Sequence, residues 1–418
     1  MPKRKNDGGE GVEQANVSKS NEADAQSELP SFASTPDEIR MAVEQNALDR
    51  GVLLIKVIVS LRIDTLLDLV DKLARSYDKE DFYESANAMG IKVDALKYLD
   101  KVDPPVPYPH YFCMPNVLIE HPDLVFYYRN VAMLSRKVMR GIGLDTDNFE
   151  EFGVAPSEQV ARELCTYFNQ IASNLVLEGG VTPYRHIVMM VANLGDSLGG
   201  TSRNEVGRVA MLRVINPLVR HLQERGWLSS VLYSLKGCIV PCDDDSLGAV
   251  KRKRIDITHE TDINEMLKRF ETYRVLYHAL EVSNGSRLLL NNQLKWRDDT
   301  GETHKIGPDM HSHVGNVDMR WAGELKGGAD PAGSDEHWKT ATESLDRILR
   351  AAEATGRPKP MLSFIATVLV ERVAKDAQSW IDQDKLTSVY NLTQMYQKEE
   401  EMERFLDDVT EFLGYVAR

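Results

Sequence analysis

Glu324-Leu325-Lys326-Gly327-Gly328-Ala329-Asp330-Pro331-Ala332-Gly333-Ser334-Asp335-Glu336-His337-Trp338-Lys339 is the stretch from which the rest of the chain is read. An apolar run, residues 317–325, leads into it and reads as a strand. Residues two apart on a strand point to the same face. Glu324 and Lys326 therefore project together from one strand end, where a buried strand ordinarily shows apolar groups. Gly327 and Gly328 let backbone or ligand approach closely. Ser334 or Asp335 can then cap a helix, which puts His337 in that helix's first turn, near the same strand end.

A carboxylate and an ammonium placed in this way suit hydrolysis of a phosphodiester. Such a site needs a divalent cation to polarise the phosphate and lower the pKa of a bound water. Mg²⁺ takes carboxylate oxygens and water, with few protein ligands. A positive group stabilises developing charge or orients the water. Glu324 can supply the oxygen and Lys326 the charge. The second carboxylate is expected from Asp309, in Gly307-Pro308-Asp309, just before the hairpin that enters the Glu-Leu-Lys strand. Asp318 is six residues earlier on the same strand, about 20 Å away at 3.3 Å per residue, too far to share an ion with Glu324. Glu281 is a further acid, but a solvated helix face explains it more simply. His304, His311 and His313 flank Asp309, and the alternation of strand residues accounts for His311 and His313 without a metal.

Pro308-Asp309, fourteen residues, then Glu324-Leu325-Lys326 resembles the PD-(D/E)xK nuclease signature. The longer stretch, Glu-Leu-Lys-Gly-Gly-x-Asp-Pro-Ala-Gly-x-Asp-Glu-His-Trp-Lys-Thr-Ala, resembles in particular the type II restriction endonucleases of the BsoBI/AvaI and XamI kind. The resemblance covers roughly the last third of the chain. It implies a restriction-endonuclease-like core and Asp309, Glu324 and Lys326 as catalytic residues. In the BsoBI-like enzymes the histidine matching His337 is placed to hold or activate the attacking water, so the resemblance gives His337 a general-base role. A polar surface residue is the plain alternative. Asp330 and Asp335 are expected to shape the loop and cap the helix.

The chain has 418 residues, 42% of them hydrophobic, and carries a net charge of −14. The length allows two or three domains. No apolar run reaches the roughly 18 residues of a membrane span; the longest, residues 51–61, contains Lys56. The first residues are basic but lack the apolar core of a secretory signal. Four cysteines make no disulfide framework, and a reducing cytoplasm is expected. The acidic balance counts mildly against nucleic acid, although affinity for DNA follows local neutralisation of phosphates and not the total charge.

Residues 1–34 are polar and glycine- and serine-rich, and read as a disordered tail. Thr35-Pro36-Asp37-Glu38 is a helix start. Segments 36–48, 60–77, 80–89, 156–178, 183–197 and 203–225 then have helical spacing, so that residues 35–250 form a mainly α-helical domain expected to help enclose DNA. Arg136, Lys137 and Arg140 fall on about one helix face and are candidates for phosphate contact, with Arg203, Arg208, Arg213 and Arg220 adding to the block; a solvated face is the plain reading of each alone. Cys238 and Cys242, with His259 later, lack the usual zinc spacing. Lys251-Arg252-Lys253-Arg254 follows Asp243-Asp244-Asp245 and reads either as a phosphate-contacting loop or as a solvated linker.

Residues 251–418 are expected to form an α/β catalytic domain, a mixed sheet flanked by helices. The order is a helix at 261–282, strands at 287–296, 302–306 and 317–325, a helix at 335–354, a buried strand at 361–370, a helix at 371–383, a short strand near 386–392 and a helix at 396–414. The resulting expectation is a Mg²⁺-dependent type II restriction endonuclease, homodimeric, acting on double-stranded DNA at a short palindromic or partly palindromic site. A repair or recombination nuclease on the same core, or a DNA-binding protein that no longer cleaves, are the alternatives.

Overall fold

Residues Arg185–Glu224 form one helix of 40 residues, about 60 Å long at 1.5 Å per residue. It ties the two halves of the protein together. Met190 and Leu194 sit in the core of the N-terminal helices, whereas Ala210, Val214, Ile215, Leu218 and Leu222 belong to the core beneath the sheet. The sequence reading breaks this segment into two helices around Gly199-Gly200, but the helix runs through. Glycine in a helix interior costs about 1 kcal/mol against alanine, a small term beside the apolar burial that anchors the helix on either side.

The computed structural model describes residues 29–179, 181–235, 250–314 and 319–415. Cys238, Cys242, the Asp243–Asp245 run and Asp318 lie outside them, as does the disorder expected of residues 1–28. Residues 31–34, assigned by sequence to the same tail, are part of the fold. Phe32 and Ala33 are buried, the Ser34 amide donates to the Leu369 carbonyl at 2.8 Å, and Asn391 Nδ2 donates to the Phe32 carbonyl at 3.1 Å. A single aromatic in a polar stretch carries little periodic signal, and only its pocket in the second half of the chain holds it.

Ten strands are described: β1 (Leu228–Leu235), β2 (Val250–Asp256), β3 (Val275–Val282), β4 (Arg287–Leu290), β5 (Leu294–Arg297), β6 (Thr303–Ile306), β7 (Met310–His313), β8 (Met319–Lys326), β9 (Met361–Ala366) and β10 (Ser388–Asn391). Eight form one sheet in the order β10-β9-β8-β7-β4-β3-β1-β2, and β5 and β6 pair separately. β8, β9 and β10 are parallel and the rest antiparallel. The parallel strands are joined by helices Ser334–Ala354 and Glu371–Asp382, which cover one face through Trp338, Ala341, Leu345, Ile348 and Val373. The long helix, Ile263–Thr272 and Glu399–Phe412 cover the other. This mixed sheet between helices, with a helical N-terminal region, is the restriction-endonuclease-like architecture that the sequence pointed to.

Several expectations need correction. The helix expected over 261–282 is Ile263–Thr272 followed by β3, because Arg274 takes a left-handed φ of 49° and the residues after it alternate for a sheet. The strand expected over 287–296 is two, β4 and β5, divided at Asn291, whose φ of 50° turns the chain. The basic run 251–254 is neither loop nor linker but part of edge strand β2, with Arg254 paired to Asp256 at 2.7 Å and Glu281 at 2.6 Å. Glu281 consequently lies on β3 and not on a helix. The sheet also begins at Leu228, within the segment that the sequence reading gives to the helical part.

The helical part has its own buried charge pair. Arg129 Nε and Nη2 donate to the two oxygens of Glu150 at 2.6 and 2.8 Å, and Arg129 Nη1 donates to the Leu134 carbonyl at 2.6 Å. Burial acts to raise the Glu150 pKa, but Arg129, with Thr146 and Arg136, more than offsets it and the net shift is downward. Glu150→Gln leaves a buried guanidinium unbalanced, a defect worth about 3–5 kcal/mol. Urea unfolding at neutral pH is expected to show that loss. A depressed carboxyl stabilises above its unfolded pKa, so the wild-type advantage is expected to fade as pH falls below the usual carboxylate range.

Candidate active site

The parallel strand β8 delivers Glu324 and Lys326 to one sheet face. Helix Ser334–Ala354 lies over that face. Met310 of β7 pairs with Gly323, so Asp309 stands one step further along, opposite Glu324. The Leu325 amide fixes it there, donating to Asp309 Oδ2 at 2.8 Å. Lys326 Nζ is 3.2 Å from Glu324 Oε2. Ser344 Oγ donates to Glu324 Oε1 at 2.5 Å. The structure thus brings together the three residues that the sequence reading joined. Ser344 was missed, although it is legible afterwards: it lies seven residues beyond His337, two turns along the same helix face.

Glu324 is almost fully buried. Burial first, and the neighbouring Asp309 second, push its pKa up to about 7, against a smaller downward pull from Lys326 and Ser344. Two carboxylates converging in a poorly solvated place, with one ammonium bonded to Glu324, leave room for more positive charge. Hard oxygen donors of this kind fit Mg²⁺, and Asp309 and Glu324 are the residues that would hold it.

His337 is half-buried in the first turn of its helix, where its ring packs on Gly328: a Cβ there would lie 2.4 Å from the imidazole. Burial, then the charge of Lys326, lower its pKa, which keeps the ring neutral and able to accept a proton at neutral pH. Gly327 faces less yielding neighbours, since a Cβ would meet Ala210 Cβ at 2.6 Å and the Val206 carbonyl oxygen at 2.9 Å. The two glycines let the long helix and His337 close on the strand end from opposite sides. Thr367, after β9, bonds the same turn, its amide donating to the Lys326 carbonyl at 3.0 Å and its Oγ1 to that of Gly327 at 3.1 Å.

Other acids and histidines are accounted for differently. Asp298, Glu302 and His304 come close enough to hold an ion. Asp298 there accepts from His304 at 2.9 Å, Thr300 Oγ1 at 2.7 Å and the amides of Thr300 and Glu302, which closes the β5–β6 turn without an ion. His311 is fully buried, and burial followed by the nearby His313 lowers its pKa to about 3; it is a neutral sheet residue. Of the cations on the candidate DNA face, Arg136 bonds Glu150 at 3.1 Å and Arg140 meets Asp147 at 3.4 Å, while Lys137, Arg252 and Lys253 are exposed. Arg208, Arg213 and Arg274 are paired with Glu205, Asp49 and Glu205.

Comparison with known proteins falls on this site. Residues 309–405, from Asp309 onward, match the family model described as restriction endonuclease BsobI. Type II restriction enzyme AvaI from Nostoc sp. is 44% identical over 72 residues, 17% of this chain and 22% of AvaI, with the same figures for AvaI from Anabaena variabilis. Type II restriction enzyme BsoBI from Geobacillus stearothermophilus is 28% identical over 214 residues, 49% of this chain and 59% of BsoBI. The aligned part of the chain spans about a fifth of AvaI and three fifths of BsoBI. The resemblance to BsoBI- and AvaI-type endonucleases read from residues 309–341 is borne out.

The glycine pair gives a direct test of the geometry. Gly327→Ala meets backbone and a packed helix, and is expected to lose about 1–3 kcal/mol, the usual cost of overpacking, in urea unfolding. Gly328→Ala meets only a side chain, and is expected to keep most of its stability while the His337 ring resonances shift in NMR spectra.

Proposed function

We propose that the protein is a Mg²⁺-dependent type II restriction endonuclease that cuts both strands of DNA at a short palindromic or partly palindromic site. One observation carries the reading: Asp309, Glu324 and Lys326 converge at the end of β8, inside the segment that resembles restriction endonucleases. When bound, the ion supplies Lewis-acid polarisation of the phosphate and a more acidic water. Asp309 and Glu324 would hold it. Lys326, sharing the strand face of Glu324, stabilises charge as it develops on the phosphate. His337, neutral and facing the same turn, accepts the proton of the attacking water. Exposed Lys137, Arg252 and Lys253, with Arg140, are the groups left to follow the phosphate backbone; Lys251 and Arg254 share their strand, and Arg136 steadies their helix through Glu150. A two-fold DNA site is matched by a two-fold dimer.

Plasmid incubated with Mg²⁺ is expected to give discrete bands. Glu324→Ala is expected to abolish cleavage and retain DNA binding, since it removes a negative charge and no phosphate contact; normal cleavage by that variant would overturn the assignment. Lys326→Ala is expected to be nearly inactive, and His337→Ala to be slower by about 10²–10⁴, the usual worth of a general base. Single-turnover rates across pH distinguish the two. Protonation of Glu324, whose pKa is raised to about 7, lowers both rates alike as pH falls; the further fall set by His337, whose pKa is lowered, comes at lower pH and is absent from His337→Ala. Neutralising Lys137, Arg140, Arg252 and Lys253 together is expected to flatten the salt dependence of DNA binding.

A further inference from the structure

Helix Ser334–Ala354 seals one face of the sheet with Trp338, Ala341, Leu345 and Ile348, all buried. Ser344 stands at the border of that apolar strip, half-buried, three residues after Ala341 and four before Ile348. A hydroxyl in a helix commonly bonds a carbonyl of its own preceding turn. The neighbours of Ser344 do so: Thr340 Oγ1 donates to the His337 carbonyl at 3.0 Å, and Thr342 Oγ1 to that of Lys339 at 2.9 Å. Ser344 Oγ instead crosses to the sheet and donates to Glu324 Oε1 at 2.5 Å, the length of a hydroxyl bond to a charged carboxylate.

The two oxygens of Glu324 are thereby made unequal. Oε1 is taken by the helix. Oε2 lies 3.2 Å from Lys326 Nζ, and a carboxylate oxygen with two lone pairs can accept from the lysine and still serve a cation. Asp309 is divided in the same way, because its Oδ2 accepts the Leu325 amide at 2.8 Å and Oδ1 is the oxygen left over. A carboxylate with one oxygen tied back offers a cation a single ligand atom. Mg²⁺ demands near-octahedral geometry and suits such ligands, whereas Ca²⁺ takes more oxygens and accepts both from one carboxylate.

We propose that Ser344 is a positioning residue of the metal site: by holding Glu324 Oε1 it presents Oε2 alone, and so favours a small octahedral cation over Ca²⁺. The proposal rests on the reading of Asp309 and Glu324 as metal ligands. Ser344 itself touches neither ion nor DNA. Without its hydroxyl, Glu324 keeps only the Lys326 bond, and its carboxylate is free to turn both oxygens to the cation.

The test is ion preference in the isolated protein, with Mn²⁺ binding followed by electron paramagnetic resonance and Ca²⁺ binding by its displacement of Mn²⁺. Ser344→Ala is expected to weaken Mn²⁺ binding by about 10–100-fold, the usual effect of removing a group that orients a metal ligand, and to weaken Ca²⁺ binding much less. Ser344→Thr keeps the hydroxyl and is expected to keep the wild-type preference. Ser344→Val, which has the shape of threonine without the hydroxyl, is expected to follow Ser344→Ala, and the threonine–valine comparison carries the test if Ser344→Ala misfolds. Loss of packing alone weakens both ions alike. An unchanged preference in Ser344→Ala and Ser344→Val, or the same change in Ser344→Thr, would overturn the inference. If Mn²⁺ is still lost from Glu324→Gln in that case, the nuclease reading stands; a wild type that binds no Mn²⁺, or a Glu324→Gln protein that keeps it, overturns both.

Discussion

Two carboxylates that must share one buried strand end are the constraint around which this protein is arranged. Asp309 is held by the Leu325 amide and Glu324 by Ser344 and Lys326, which keeps the two carboxylates side by side. The cost shows in Glu324, whose proton is held up to about pH 7 by burial and by Asp309. A folded chain tolerates such repulsion where function uses it, and a dication bound there would remove it.

The surrounding packing serves this arrangement. Strand β8 lies near the middle of the sheet, antiparallel to β7 and parallel to β9, which aligns Asp309 with Glu324 through register alone. The glycine pair after Lys326 lets Ala210 of the long helix and His337 of the next helix approach from opposite sides. That long helix is rooted in the cores of both the N-terminal helices and the sheet. Helix Pro36–Ser60 is tied to the long one through Arg213, which donates to Asp49 at 2.9 Å.

Much of the site was legible in the sequence because its information is local. The i, i+2 rule placed Glu324 with Lys326, the Gly-Gly pair marked a close approach, and the helix start put His337 in a first turn, although the N-cap is Gly333, without a side-chain cap, and not Ser334 or Asp335. Helices Ser334–Ala354 and Glu371–Asp382 came within a residue or two of their expected bounds. What was not legible depends on partners far along the chain. β3 was hidden in a helical reading because residues 275–282 fit either period until a neighbouring strand chooses. The ion pairs of Arg136 and Arg140 could not be seen without Glu150 and Asp147 folded against them. Phe32 gains its place only from a pocket formed with residues more than 300 positions later.

Whether the carboxylate pair at the end of β8 is the metal site is open to one direct measurement, Mn²⁺ titration of the isolated protein followed by electron paramagnetic resonance, with Asp309→Asn, Glu324→Gln and Asp298→Asn in parallel. The account predicts an ion bound by the wild type and by Asp298→Asn, and lost from both Asp309→Asn and Glu324→Gln. Binding that survives in those two variants and disappears in Asp298→Asn would contradict it, and would move the metal to the β5–β6 hairpin.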